Sequence, residues 1–167
     1  MNGRFGESVS ALGYADRMLL RCPSCDAMAV AVRSERLPQQ PMVVRVTCTG
    51  CGFAKEWRTK GDGSVKDLPT PVPDQVCDHI TGLALWLQTP CVCERLWAFN
   101  AEHLEFLRGA IGATLRERAT FTGWDGAQHI DTYYGRIPAA LPTWMKLAKH
   151  RDDVLAALDR LEKTLPA

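Results

Sequence analysis

The chain has 167 residues, of which 46% are hydrophobic and 23% are charged; this is a globular composition and excludes a largely disordered protein. The formal net charge is only +1, so the molecule as a whole is not a polycation built to coat nucleic acid. A chain of this length makes one domain, or one small module followed by a helical region.

Charge is unevenly distributed along the chain. Residues 1–60 contain nine Lys and Arg against five Asp and Glu, a difference of +4, so the basic excess lies in this first part. The first residues lack the charged-then-apolar pattern of a secretory signal, and no apolar run reaches the roughly 18 residues of a membrane span. Seven cysteines are an odd number, which disfavours a fully paired secreted scaffold. We therefore expect a cytoplasmic protein that does not enter a membrane.

Residues 1–16 are weakly patterned and predict a flexible lead-in. The next feature is a pair of CxxC motifs, Cys22 with Cys25 and Cys48 with Cys51, separated by 22 residues. Two residues between the cysteines let one tight turn aim both sulfurs at one metal ion, and two such turns complete a tetrahedral zinc site. Four cysteines leave no open position for water, so we expect one Zn²⁺ with a purely structural role.

Apolar and β-branched runs enter and leave each cysteine turn. Residues 18–21, 27–33, 42–47 and 53–58 read as strands, and the two prolines at 38 and 41 make a loop between the second and third. Strand, turn, strand, loop, strand, turn, strand is the layout of a zinc ribbon. The sequence thus predicts a ribbon of small antiparallel strands over residues 17–60.

The cysteine turns and their flanking strands resemble the transcription-factor-IIB-type zinc ribbon. Residues 85–91 and 96–104 are in turn similar to a segment of bacterial zinc-ribbon proteins whose function is unassigned, in which helices follow. The resemblance implies a structural zinc ion, and a partner that is DNA, RNA or protein.

Residues 61–78, which include Pro69, Pro71 and Pro73, read as a linker. Residues 79–167 then read as an α+β and helical region. Residues 83–88 and 95–99 predict two strands around a turn at 90–94. Asn100 predicts the N-cap of a helix from Ala101 to about Arg118, and Asp152 the cap of the last helix. The predicted fold class is α+β: a four-cysteine zinc ribbon, a short β element and C-terminal helices.

The remaining cysteines and a histidine offer a second set of metal ligands. One residue lies between Cys77 and His79, and one lies between Cys91 and Cys93. On a strand, that spacing puts both side chains of a pair on one face. The tight chelating turn is absent, however, so these residues are weak candidates for a second metal site, and the reading as buried free cysteines is preferred. His103 beside Cys91 or Cys93 is the only candidate for nucleophilic catalysis, and no spacing supports that geometry. We expect no enzyme.

Cations alternate with an aromatic residue near the end of the predicted ribbon. The candidate nucleic-acid contacts are Arg45, Lys55, Trp57, Arg58 and Lys60, because cationic groups bind phosphates and an exposed indole stacks on bases. The competing and slightly favoured interpretation of Trp57 is that it covers the small core of the ribbon. The sequence therefore predicts a non-enzymatic zinc-ribbon module that binds DNA or RNA. The alternative is a protein–protein interaction adaptor that uses the ribbon and the C-terminal helices.

Overall fold

The computed structural model describes residues 11–34, 40–65, 73–112 and 142–166. Within these ranges the architecture is α+β, as predicted, with a small antiparallel sheet and C-terminal helices. The strands are β1 (Arg17–Arg21), β2 (Met28–Arg33), β3 (Val43–Thr47), β4 (Ala54–Arg58), β5 (Leu87–Cys91) and β6 (Glu94–Ala98). The helices are α1 (Ala101–Gly112), α2 (Thr143–Lys146) and α3 (Arg151–Glu162).

Strands β1 to β4 form one antiparallel sheet in chain order. Register partners in antiparallel strands point to the same face, and the partners Met18, Ala31 and Val46 are all fully buried. They belong to a cluster that we call the sheet core, which covers this face with residues from the segment that precedes β5. Its buried members are Ala15, Met18, Leu20, Cys22, Ala29, Ala31, Val44, Val46, Cys48, Ile80, Leu85 and Phe99.

A second cluster, which we call the helix core, lies between the β5–β6 hairpin and helices α1 and α3. Its buried members are Leu19, Leu87, Cys91, Leu96, Ala98, Leu104, Leu107, Ile111, Met145, Val154, Ala157, Leu158 and Leu161. Leu19 of β1 belongs to it because successive strand residues alternate between faces. The half-buried Met28 and Val30 of β2 also pack against the helix core. The helices therefore cover β1 and β2 on the face of the sheet that is opposite the sheet core.

Backbone hydrogen bonds join β1 to the segment that leads into β5 and to the end of β6. The N–H of Leu19 donates to the carbonyl of Phe99 at 2.7 Å, and the N–H of Trp86 donates to the carbonyl of Leu19 at 2.9 Å. The N–H of Arg21 donates to the carbonyl of Ala84 at 2.8 Å. The outer edge of β1 is therefore paired with residues that come after the predicted linker.

The predicted strand over 83–88 is wrong in position, because the hairpin strand is Leu87–Cys91. Residues 83–86 follow β1 instead, with isolated bridges from Leu85 to Leu20 and from Ala84 to Cys77. The turn is also tighter than predicted, since Cys91 pairs directly with Glu94. Val92, in that two-residue turn, has φ 56°. Pro90 is tolerated in β5 because each strand of a two-stranded sheet is an edge strand. On its outer side no neighbouring strand needs the N–H that proline lacks.

The predicted start of the first helix is confirmed. Helix α1 begins at Ala101, and the side-chain oxygen of Asn100 accepts a hydrogen bond from the N–H of His103 at 2.8 Å. Leu104, Leu107 and Ile111, which recur at helical spacing, are buried on one side of this helix. The predicted end of this helix near Arg118 lies outside the described residues.

The predicted cap of the last helix is wrong. Helix α3 begins at Arg151, so Asp152 lies inside its first turn, and no side chain caps the helix. A 3₁₀ turn, Ala148–His150, runs directly into the helix, and the N–H of Arg151 donates to the carbonyl of Ala148. Because that turn already engages a backbone donor at the helix start, a side-chain cap is not required there.

The predicted lead-in and linker are only partly described. Residues Ala11–Asp16 form a 3₁₀ helix in which Ala15 is 1% exposed, while residues 1–10 lie outside the described part of the chain. Of the predicted linker 61–78, residues 66–72 also lie outside it. Asp78 is buried and accepts a hydrogen bond from Arg33 of β2 at 2.6 Å, so the end of this stretch is bound to the sheet.

Candidate metal centre

Both CxxC motifs lie on turns of the same backbone geometry, one between β1 and β2 and one between β3 and β4. In the first turn the N–H of Cys22 donates to the carbonyl of Ala27 at 2.8 Å, and the N–H of Asp26 donates to the carbonyl of Cys22 at 3.0 Å. In the second, Cys48 is bonded in the same way to Phe53 and Gly52, each at 2.9 Å. The strand hairpins thus close on two equivalent cysteine turns, as the motif spacing predicts.

The two turns also share a residue with positive φ at the same position. Asp26 has φ 59° and Gly52 has φ 75°, each four residues after the first cysteine of its motif. Glycine adopts this left-handed conformation without penalty, and aspartate is one of the few other residues that tolerate it. Of the two glycines in the second turn, Gly50 and Gly52, only Gly52 has this conformation.

The four sulfur atoms lie within 4.8 Å of one another. Across the two turns, the Sγ atoms of Cys22 and Cys51 are 3.6 Å apart, and those of Cys25 and Cys48 are 3.7 Å apart. A disulfide needs about 2.05 Å, so these are separate thiols. Four sulfurs at about 2.3 Å from a central ion would be about 3.8 Å apart in a tetrahedron. The donor set and its spacing therefore fit a tetrahedral metal ion.

The thiols differ in environment. Cys22 and Cys48 are each 3% exposed, whereas Cys25 and Cys51 are exposed. Burial raises the pKa of Cys22, but the backbone N–H groups of Ser24 and Cys25 and the neighbouring sulfurs outweigh it and lower that pKa to about 7. The Ala27 N–H lowers the pKa of Cys25, but the other three sulfurs together with burial raise it to about 12.

These opposite directions describe a cluster in which one thiolate forms easily and a second nearby does not. Like charges this close oppose each other, so one thiolate disfavours the ionisation of its neighbour. A divalent cation at the centre of the cluster would offset that repulsion and favour the thiolates. Cysteine thiolates in this number and spacing are the donor set of structural zinc sites.

The weaker metal candidates do not assemble in the described part of the chain, where the four motif cysteines form the one group of metal-ligating side chains. Cys91 is buried in the helix core, and its Sγ donates to the carbonyl of Asp153 at 3.7 Å. Cys93 is exposed in the β5–β6 turn, and Cys77 is half-buried. Desolvation lowers the pKa of the neighbouring His79 to about 4.

His103, the candidate base for a cysteine nucleophile, lies in an aromatic cluster. Its ring stacks on Tyr14 with centroids 5.1 Å apart, and its Nδ1 accepts a hydrogen bond from the N–H of Phe99 at 3.2 Å. Burial lowers its pKa to about 4. Histidine in this position packs and caps the end of β6, which is a structural use of the side chain.

The predicted nucleic-acid contacts are divided between the two faces of the sheet. Lys55 and Trp57 are register partners of the buried Val46 and Val44, so they point to the sheet-core face. Arg45 and Arg58 point to the opposite face, and each side chain is 67% exposed. Lys60 is exposed beyond the end of β4. The five residues therefore do not form one surface.

Trp57 is half-buried and packs against the sheet core, in line with the alternative that it covers a small core. The ammonium of Lys55 lies 4.7 Å from the centre of its ring. A cation in this position is attracted to the ring face and covers it. The indole is thus not an open stacking platform.

A residue that the sequence analysis did not select, Glu56, lies between the two exposed arginines. Its carboxylate accepts a hydrogen bond from Arg45 Nε at 3.0 Å and one from Arg58 Nη2 at 3.2 Å. The hydrogen bond from Arg45 and, to a smaller extent, the one from Arg58 hold the pKa of Glu56 below its usual range. Alternation along β4 places Glu56 opposite Lys55, but its pairing with Arg45 requires the register of β3 and β4, which the sequence does not contain.

In comparisons with known proteins, no family model, no curated protein and no solved structure matches the chain. Among the described residues, no helix combines the length and apolar character needed to cross a membrane.

Proposed function

We propose that Cys22, Cys25, Cys48 and Cys51 bind one structural Zn²⁺ ion and that residues 17–60 form a zinc ribbon. The spacing of the four sulfurs carries this proposal, since 3.6 and 3.7 Å are close to the edge of a ZnS₄ tetrahedron. Two equivalent turns at the ends of antiparallel hairpins support it. When bound, the ion would link the two hairpins and supply folding free energy that so small a sheet lacks.

A structural role follows from the ligand count. Four protein thiolates fill a tetrahedral coordination shell, so no position is left for water or substrate. We therefore propose a non-enzymatic module. Reduced thiols are maintained in a reducing compartment, which supports a cytoplasmic location for the protein.

The metal assignment is tested by elemental analysis. We expect one zinc per chain in the purified protein, and loss of that zinc in Cys48→Ser. Cys93→Ser is the matched control, because it removes an exposed cysteine outside the cluster and should leave the metal content unchanged. Two metal ions per chain, or full zinc content in Cys48→Ser, would contradict the assignment.

We further propose that the ribbon is a nucleic-acid-binding module. The observation that supports this is the pair of guanidinium groups, Arg45 and Arg58, that are 67% exposed on one sheet face. Guanidinium groups bind phosphate oxygens through paired hydrogen bonds. With few cations available, affinity should be modest and should depend strongly on salt.

The test is a salt titration of the full, zinc-loaded chain with mixed-sequence DNA and RNA of about 20 nucleotides, followed by fluorescence anisotropy. Each phosphate contact releases about one counterion, so we expect a log–log slope of about −2 to −3. A signal that does not change with salt, or no binding at low salt, would contradict nucleic-acid binding.

A protein–protein adaptor is the second candidate, and two observations favour it. Glu56 bonds to both exposed arginines, which reduces their attraction for phosphate. Val32, on the same face, is 51% exposed, and apolar side chains at a surface suit a protein partner. If the zinc-loaded chain is folded and fails to bind DNA and RNA at low salt, the adaptor becomes the leading function.

A further inference from the structure

The open face of the ribbon carries a row of side chains that only the strand register brings together. Arg17 of β1 pairs with Val32 of β2, and Val32 pairs with Arg45 of β3. Arg45 in turn pairs with Glu56 of β4. Register partners in neighbouring antiparallel strands share a face, so all four point away from the sheet core.

These side chains are accessible to a partner, and so is Arg58, which lies two residues after Glu56 on β4 and therefore on the same face. Arg17 and Val32 are exposed, and Arg45 and Arg58 are 67% exposed at their side chains. Two to four residues further along β1 and β2, the same face is covered, because Leu19, Met28 and Val30 pack against the helix core. The row therefore lies on an open strip of sheet, beside the part of the face that the helices cover.

We propose that the arginine row, defined as Arg17, Arg45 and Arg58, binds the sugar–phosphate backbone of a nucleic acid without stacking on its bases. The inference rests on the proposed nucleic-acid-binding function and specifies its surface and mode. The three guanidinium groups of the row lie beside one carboxylate on the same face, that of Glu56. This part of the face is therefore net positive and complements a polyanion. Strands are about 4.8 Å apart, which places Arg17 and Arg45 about 10 Å apart and lets them contact different phosphates.

The absence of stacking follows from the composition of this face. Every second residue of a strand points to the same face, so the other side chains on this face can be found by counting from Arg17, Val32, Arg45 and Glu56. None of those that β1 to β4 direct to it is aromatic. Trp57, the aromatic residue of β4, points to the other face and is covered by Lys55. Phosphate contacts carry no base information, so binding should not distinguish sequences, and DNA and RNA should bind alike.

Glu56 gives the proposal its sharpest test. The carboxylate competes with phosphates for Arg45 and Arg58, to both of which it is hydrogen bonded. Glu56→Gln should therefore tighten the binding of single-stranded DNA, single-stranded RNA and duplex DNA severalfold at low salt. Arg17→Ala, Arg45→Ala and Arg58→Ala should each weaken binding and flatten the log–log salt slope by up to about one unit.

Lys55→Ala is the matched control, because it removes one positive charge from β4 on the opposite face. It should leave affinity and salt slope close to those of the wild type. All variants change exposed side chains, and zinc content with circular dichroism verifies that each remains folded. A polyglutamate peptide in the same assay represents an acidic protein partner, and we expect it to bind much more weakly than the nucleic acids.

Several outcomes would overturn the inference. If wild type binds but the three arginine variants do not weaken it, or if Lys55→Ala weakens it as much as they do, the surface lies elsewhere while the proposed function stands. Strong preference for one base sequence would overturn the backbone-only mode. Equal binding of polyglutamate, with the same response to the variants, would assign the row to a protein partner. Failure of the wild type to bind DNA or RNA would overturn the proposed function itself.

Discussion

The two cysteine turns have the same hydrogen bonds, yet a different residue occupies the left-handed position in each. Asp26 has φ 59° in the first turn, and Gly52 has φ 75° in the second. An L-residue with a Cβ pays about 1–2 kcal/mol in this conformation, which glycine avoids. The second turn therefore depends on glycine at one position only.

We expect Gly52→Ala to lower the free energy of unfolding of the zinc-loaded protein by about 1–2 kcal/mol, because the added Cβ makes the left-handed conformation unfavourable. Urea unfolding measures this. Gly50→Ala is the control: its Cβ would lie 3.7 Å from Ala27 Cβ and from Cys48 Sγ, which is ordinary contact. It should change stability by less than about 0.5 kcal/mol. Equal losses for both variants would contradict the conformational explanation.

His103 shows how burial determines the protonation of a single residue. Burial lowers its pKa to about 4, whereas an unfolded histidine titrates near the ordinary value of 6.5. Between these two values the unfolded chain binds a proton that the native chain does not. The contribution of His103 to stability is therefore complete above about pH 6.5 and is lost as the pH falls toward 4, by at most about 1.4 kcal/mol per pH unit.

Proton NMR of the imidazole groups tests this shift. At pH 5.5 we expect the His103 resonances to remain those of the neutral ring, while an ordinary histidine is mostly protonated. The assignment comes from the signal lost in His103→Gln. A titration midpoint near 6.5 for that signal would show that the ring is solvated, contrary to its position between Tyr14 and Phe99.

At the scale of elements, Asn100 connects helix α1 to β1 and to the residues just before it. Its Oδ1 caps the helix by accepting from the N–H of His103. Its Nδ2 donates to the carbonyls of Tyr14 at 2.9 Å and of Arg17 at 2.8 Å. The cap is a local interaction, whereas the two donations fix where the helix begins relative to β1.

Asn100→Ala removes both functions, and we expect it to lower the free energy of unfolding by about 2–3 kcal/mol. A lost cap costs about 1 kcal/mol, and each lost hydrogen bond costs a similar amount. Asn100→Ser retains a capping oxygen on a side chain too short for the two carbonyls, so it should recover about 1 kcal/mol. Thermal and urea unfolding measure the difference. Serine restoring full stability would mean that the contacts to β1 contribute nothing.

At the scale of the whole molecule, the two cores are shared across the predicted boundary at residues 61–78. The sheet core includes Ile80, Leu85 and Phe99 from beyond it, and the helix core includes Leu19 from before it. Backbone hydrogen bonds from Leu19 and Arg21 cross it as well. The division into a ribbon and a separate C-terminal region remains a prediction, but these contacts imply coupled stability.

We accordingly expect removal of the proposed zinc ion to loosen more than the four-stranded sheet. In hydrogen exchange after chelation, amide protection should fall in β1–β4 and also at Leu85 and Trp86, whose N–H groups donate to the carbonyls of Val76 and Leu19. Re-addition of zinc should restore protection in both regions. Unchanged exchange in residues 83–99, with β1–β4 fully opened, would show that the two parts fold independently.

Local pattern was enough to predict much of this protein. The cysteine spacing located the four thiols that cluster, the runs that flank the two cysteine turns located β1 to β4 to within a residue or so, and Asn100 located the start of α1. These features depend on residues close together in the chain, where turn geometry, strand alternation and helix capping act directly.

Tertiary structure decided what depends on distant partners. Residues 83–86 carry a strand-like pattern, but the free edge of β1 offers them backbone partners, so the hairpin strand begins later. The same holds for the surface. Arg45 and Lys55 are both cationic residues of the four-stranded sheet, and only the pairing of β3 with β4 places them on opposite faces. Which charges share a face is determined by register and by the core on one side of the sheet, and both arise only when the strands assemble.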